Sequence, residues 1–106
     1  MISVKVNVTV IMPLKYSSNL QAPDYASIIK FPMDLSTMHD KITANVYNSF
    51  SEFEVDFKLM CSNAFTYNVD PENYYHKIAR RISETGSVIL TKFRSMVLDA
   101  GFDPDV

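Results

Sequence analysis

The chain has 106 residues, enough for one domain, and 47% of them are hydrophobic, enough for one core. A formal net charge of −2, with only two glycines and five prolines, excludes both a strongly basic nucleic-acid protein and a low-complexity linker. The single cysteine, Cys61, excludes an internal disulfide and fits a reducing compartment, and no apolar run is long enough to cross a membrane.

Residues 1–10 alternate, with Val4, Val6, Val8 and Val10 on one side and Lys5, Asn7 and Thr9 on the other. This is the period-two pattern of a half-buried strand. No second strand-like run follows, and a lone strand is not stable without a partner. Residues 1–12 are therefore read as an atypical N-terminal segment. They lack the basic start, apolar core and small-residue cleavage site of a signal peptide, so the Asn7-Val8-Thr9 sequon reads as a chance match. Residues 13–25 form a loop punctuated by Pro13 and Pro23. A short helical turn is expected at Asp24 to Ile29, stopped by Pro32, because the residue before proline avoids helical angles.

Asp34 is placed to cap a helix over about 35–44, whose stripe is Leu35, Met38, Lys41 and Ile42. Asn45 to Ser49 breaks it. Ser49 or Ser51 can cap the next helix, about 50–68, because Glu52 and Glu54 lie three residues on in the capping-box arrangement. Its stripe is Phe50, Phe53, Phe57, Met60, Cys61 and Ala64. At 100° per residue from Phe53, these fall within an arc of about −20° to +80°. Asn68 falls at about +60°, so it points where the core points. A third helix over about 71–98 is expected after the Asp70-Pro71 break, capped by Asp70 with Pro71 at its first position. Tyr75, Ile78, Ala79, Ile82, Gly86, Ile89, Leu90, Phe93 and Val97 hold its apolar face. Gly86 weakens that helix by about 1 kcal/mol relative to Ala unless another backbone packs there. Gly101 is the expected stop, and residues 99–106 are read as a C-terminal tail.

An asparagine on an apolar face is costly unless its amide finds partners, at about 1–3 kcal/mol per unmet group. Two readings stay open on spacing alone. Asn68 can cap the helix end through local backbone bonds. Or it can hold an amide hydrogen for a ligand carbonyl in a small apolar pocket walled by Tyr25, Tyr67, Tyr74 and Tyr75.

The stretches APDYASIIKFPMDLSTMHDKI (22–42), FSEFEVDFKLMCSNAFTYN (50–68) and YYHKIARRI (74–82) together resemble a bromodomain. The resemblance covers residues 22 to about 93 and rests on three ordered motifs, P-D-Y, F-P-M-D-L and T-Y-N. It is greatest to the tyrosine-gatekeeper bromodomains of chromatin-remodelling complex subunits. The resemblance implies an all-α, left-handed helical bundle spanning residues 13–98, and an acetyl-lysine reader. It implies that Asn68 donates to the acetyl carbonyl and that Tyr25 reaches the same oxygen through an ordered water. Tyr74 is implied as the gatekeeper, Tyr67 and Ala64 as the floor, and Ala22 and Pro23 as the loop wall. Acetylation turns a hydrated ammonium into a neutral amide that an apolar pocket with one donor accepts, whereas a buried ammonium there would be costly.

The sequence departs from the family at its start. The region where a first helix should lie alternates like a strand, and the aromatic-proline shelf that opens the long loop is absent. The bundle is accordingly expected to be incomplete, its first helix missing or replaced by the strand-like segment, from a truncated or alternatively spliced N-terminus. One pocket wall and one core face then lose their cover.

Other function classes have thinner support. Cys61 sits on the core stripe, and neither His39 nor His76 is spaced to activate it or to share a metal with it. No enzyme activity, metal or cofactor is expected. His76, Lys77, Arg80 and Arg81 form a short basic cluster that reads first as a solvated face, with Arg80 and Glu84 at salt-bridge spacing. Weak DNA contact is a subordinate reading, and a degenerate bromodomain acting as an interaction scaffold is another. The partners implied by the resemblance are acetylated histone tails, other acetyl-lysine peptides and chromatin-remodelling subunits, with no membrane, in the nucleus.

Overall fold

The computed structural model describes residues 24–106. The strand-like alternation, the sequon, the Pro13 and Pro23 loop, and Ala22 lie outside the described residues. Four helices follow: α1 (Tyr25–Ile28), α2 (Leu35–Thr43), α3 (Phe50–Tyr67) and α4 (Tyr74–Asp99). All regular structure among the described residues is thus helical, as expected of an all-α bundle.

The helix starts show how local chemistry sets boundaries. α1 is a single turn around the Asp24 carbonyl, which accepts from Ser27 and Ile28 N–H at 3.1 and 3.2 Å. Asp34 caps α2, its carboxylate accepting from Thr37 N–H at 2.7 Å. α2 ends where Asn45 turns left-handed at φ 58°, a conformation asparagine tolerates better than most residues. Ser49 caps α3 by accepting from Glu52 N–H at 3.3 Å. The return bond from Glu52 lands on Asn48 N–H at 2.6 Å, one residue before the expected Ser49. Ser51 does not cap; its hydroxyl donates to Asp105 and accepts from Arg94.

The start of α4 corrects the sequence reading. Asp70 does not cap it and Pro71 is not its first residue. Asp70 instead folds a turn around Pro71, accepting from Glu72 N–H on its side chain and from Asn73 N–H on its carbonyl, both at 2.9 Å. Asn73 is the cap, its side-chain oxygen accepting from Tyr75 and His76 N–H at 2.8 and 3.4 Å. An aspartate occupied by its own turn cannot also serve a helix end. At the other end Gly101 follows the last turn at φ +87°, as expected for a stop.

The six-residue connection between α3 and α4 makes them an antiparallel pair, and α3 is the central helix. Its side chains enter both core clusters. One joins Met38, Phe57, Met60, Cys61 and Leu90; the other joins Tyr25, Ile29, Ala64 and Ala79. Full burial of Met38 and Met60 contributes about 1.5–3 kcal/mol each. Gly86 faces the Phe57 ring rather than another backbone: a Cβ there would lie 2.2 Å from the ring tip. The glycine's helix cost is the condition for that ring to reach the core.

Only part of the expected α4 face is buried. Ala79 and Leu90 are core, whereas Ile89 and Phe93 are exposed. Leu35, Met38, Phe57, Ile82, Ile89 and Leu90 line an apolar groove of about 380 Å³ between α2, α3 and α4.

Residues 103–105 fold back onto the start of α3. Pro104 carbonyl accepts from Phe50 N–H at 2.9 Å, and Asp105 accepts from Ser51 N–H and hydroxyl at 2.9 and 2.8 Å. These are among the N–H groups a helix start leaves without intrahelical partners, and a carboxylate there also suits the helix dipole. Arg94 completes the clamp, bonding Asp105 at 3.0 Å and pairing with Glu54. Elsewhere the buried Asp56 is held by Lys41 and by the Tyr47 hydroxyl, each at 2.6 Å.

Candidate functional site

The second core cluster lies at the α3 C-terminus, where Tyr25, Ala64 and Tyr67 of the candidate residues meet and Asn68 bonds to Ala64. Ala64 on α3 and Ala79 on α4 are both about fully buried, and small side chains there let the helices approach closely. Tyr25 packs into the same cluster from α1, its ring edge-to-face with Tyr67 at a centroid distance of 4.9 Å. Burial, with Asp34 as a lesser cause, raises the Tyr25 hydroxyl above its ordinary value. Burial and then the bond to Asp24 do the same for Tyr67. Both hydroxyls therefore keep their protons at neutral pH. Tyr67 donates to the Asp24 carboxylate at 2.9 Å, tying the end of α3 to the start of α1. Asn63 adds a second tie, donating to Phe31 carbonyl at 2.8 Å in the segment before α2.

Asn68 is the C-cap of α3 and is 7% exposed. Its backbone N–H and its side-chain amide both donate to Ala64 carbonyl, at 2.9 and 3.0 Å. The cap reading is thus realised in the geometry. It does not exhaust the residue, because a primary amide carries two N–H bonds. The second has no partner among the described residues. Cap and donor are compatible roles for one side chain.

The aromatic residues beyond the turn divide. Tyr74 is 60% exposed, with its ring edge-to-face against Tyr75 at 5.5 Å. On the helix, Tyr75 lies about 40° and His76 about 60° from the direction of Ala79, on opposite sides, while Tyr74 lies about 140° away. Tyr74 is therefore at the outer edge of the α4 start, and Tyr75 and His76 flank the buried face. His76 was legible in the sequence only as part of a basic cluster. In the structure its Nδ1 lies 2.6 Å from Asn68 carbonyl and its ring packs on Phe65 at 4.9 Å. The signal that could have found it is its place one turn before Ala79.

The remaining reactive side chains lie away from this cluster. Burial pushes the Cys61 thiol up to about 11, so little thiolate exists at neutral pH. His39 is exposed on α2. No group of three metal-ligating side chains forms among the described residues. Lys77 pairs with Glu72 at 3.0 Å, and the Arg80–Glu84 pair expected from spacing does not form among the described residues.

Against known proteins, a family model described as bromodomain matches residues 11–83. The chain is 48% identical over 84 residues to Bromodomain-containing protein 9 of Danio rerio and 54% identical over 71 residues to that of Homo sapiens. It is 46% identical over 82 residues to Bromodomain-containing protein 7 of Mus musculus. These matches take in 79%, 67% and 77% of this chain. They span only 13%, 12% and 12% of the respective relatives.

Proposed function

The chain belongs to the bromodomain family, whose members generally read acetyl-lysine, and on that premise we propose that it binds acetylated histone tails through the Asn68 cluster. The observation that carries this reading is a core-facing Asn68 with one amide hydrogen held by Ala64 and a second without a partner among the described residues. In the proposed complex that second hydrogen donates to the acetyl carbonyl, and the protonated Tyr25 hydroxyl reaches the same oxygen through a water. Ala64 and Tyr67 form the floor, Ala22 and Pro23 the loop wall, and the Tyr74–Tyr75 pair the outer cover with Tyr74 as gatekeeper. A neutral amide fits such a site, and an unmodified ammonium would bring donors to a donor and lose its hydration.

The proposed setting is the nucleus, within a chromatin-remodelling complex. DNA contact is a minor element at most, since Lys77 is already paired with Glu72. One observation favours a second reading, a scaffold without acetyl-lysine binding: the apolar groove between α2, α3 and α4.

Titration of histone-tail peptides, acetylated and unmodified, separates the two. The acetylated peptide is expected to bind at about tens of micromolar or weaker, because one side chain buries little area. Asn68→Ala is expected to reduce that affinity at least about tenfold while the folded spectrum is kept. Binding that ignores acetylation, or that survives Asn68→Ala, overturns the reader and leaves the scaffold.

A further inference from the structure

Asn68 is held from two helices. From the α3 side, Ala64 carbonyl takes its backbone N–H and its side-chain amide. From the α4 side, His76 Nδ1 lies 2.6 Å from its carbonyl. A carbonyl oxygen can only accept, so Nδ1 must carry the hydrogen, which fixes the neutral ring as the Nδ1–H tautomer. The packing of the ring on Phe65 holds it at that distance. At φ −102°, ψ 75°, Asn68 has left the helix, and its carbonyl is one of the end groups that no intrahelical bond serves. His76 supplies the missing donor. It thereby pins the peptide plane of the residue whose side chain carries the candidate donor.

We infer that His76 is a positioning residue for Asn68: it touches no ligand, and it fixes the Asn68 amide in the orientation that receives an acetyl carbonyl. The inference rests on the acetyl-lysine reading for its consequence but not for its geometry. A binding donor is effective when it is already oriented, because ordering it on binding subtracts from affinity.

Two substitutions separate the bond from the packing. His76→Phe keeps a ring on Phe65 and removes the donor, whereas His76→Asn places an amide N–H near the position of Nδ1 and removes the ring. Both are compared with wild type by amide NMR of ligand-free protein, by melting, and by titration with an acetylated histone-tail peptide. His76→Phe is expected to shift the Asn68 side-chain amide resonances and to weaken peptide binding about fivefold, the worth of one ordinary hydrogen bond. His76→Asn is expected to bind within about twofold of wild type despite the greater loss of packing. The inference is overturned if His76→Phe leaves the Asn68 amide resonances in place. It is equally overturned if they shift while peptide affinity stays at the wild-type value, or if affinity follows melting temperature across the two variants. Should wild type bind no acetylated peptide, the reader proposal fails, and the Asn68 resonances alone then decide whether His76 holds this amide.

Discussion

The two ends of the α3–α4 pair are built on opposite plans. At one end Arg94 bridges Glu54 and Asp105, Phe50 packs against Phe93 at 5.0 Å, and residues 103–105 serve the N–H groups of α3. Charge, aromatic area and a folded-back tail all fasten that end. At the Asn68 end the buried contacts are two alanines, an isoleucine and a tyrosine, and the ties are short polar bonds from Tyr67, Asn63 and His76. The proposed acetyl-lysine site has to admit a side chain, so it cannot be filled by large core residues. Its parts must be aimed by hydrogen bonds while the other end supplies rigidity.

The sharpest way to break this contrast is to remove the core between the ends. Phe57→Ala is expected to cost about 3–5 kcal/mol in denaturant unfolding, through lost burial plus a cavity beneath Gly86. Both ends should then loosen together in hydrogen exchange; independent behaviour would show that they are separate units. Gly86→Ala attacks the same contact by crowding. It gains about 1 kcal/mol of helix propensity but drives a methyl into an aromatic ring, so a net loss of about 1–2 kcal/mol is expected. A stabilised Gly86→Ala protein would show that the ring moves freely.

Tyr67→Phe tests the polar end alone. Losing the bond to Asp24 is expected to cost about 1 kcal/mol, with hydrogen exchange rising at α1 but not near Arg94. An equal rise at both ends would contradict the division. The smallest effect is expected from acid at the fastened end. Hydrogen bonds from Ser51, followed by Arg94, hold the exposed Asp105 carboxyl below its ordinary 3.8. A depressed folded value means that its contribution is present above about pH 4 and is lost as pH falls through the lower folded value. The Asp105 side-chain carboxyl resonance should therefore hold constant from neutral pH to about pH 4 and change below it. Asp105→Asn should abolish that step, and its persistence would assign it to another carboxylate.

How much of this was legible depended on range. The cap at Asp34, the α3 cap narrowed to Ser49 or Ser51, and the stop at Gly101 were readable because each acts within a few residues. The phase that buries Met60, Ala64 and Asn68 was readable because 100° per residue is fixed by the helix itself. The start of α4 was misread because Asp70 and Asn73 offer the same chemistry, and only the folded turn around Pro71 shows which one is occupied. The site divides in the same way. That Asn68 faces inward followed from periodicity, and the T-Y-N motif drew attention to its amide. That His76 reaches the Asn68 carbonyl, and that Tyr74 stands at the outer edge while the exposed Tyr75 flanks the buried face, required knowing where α4 begins.

By itself, then, the sequence determined the helical character of the described residues, the approximate span of α2 and α3, an inward asparagine and the motifs of its family. Only the tertiary structure decided the Phe57–Gly86 contact, the Asp105 clamp across 54 residues of chain, and the hold of His76 on Asn68. The physical reason is that propensity, capping and periodicity act along the chain within a turn or two. A contact between helices depends on where each one starts, how it is rotated and how far a side chain reaches.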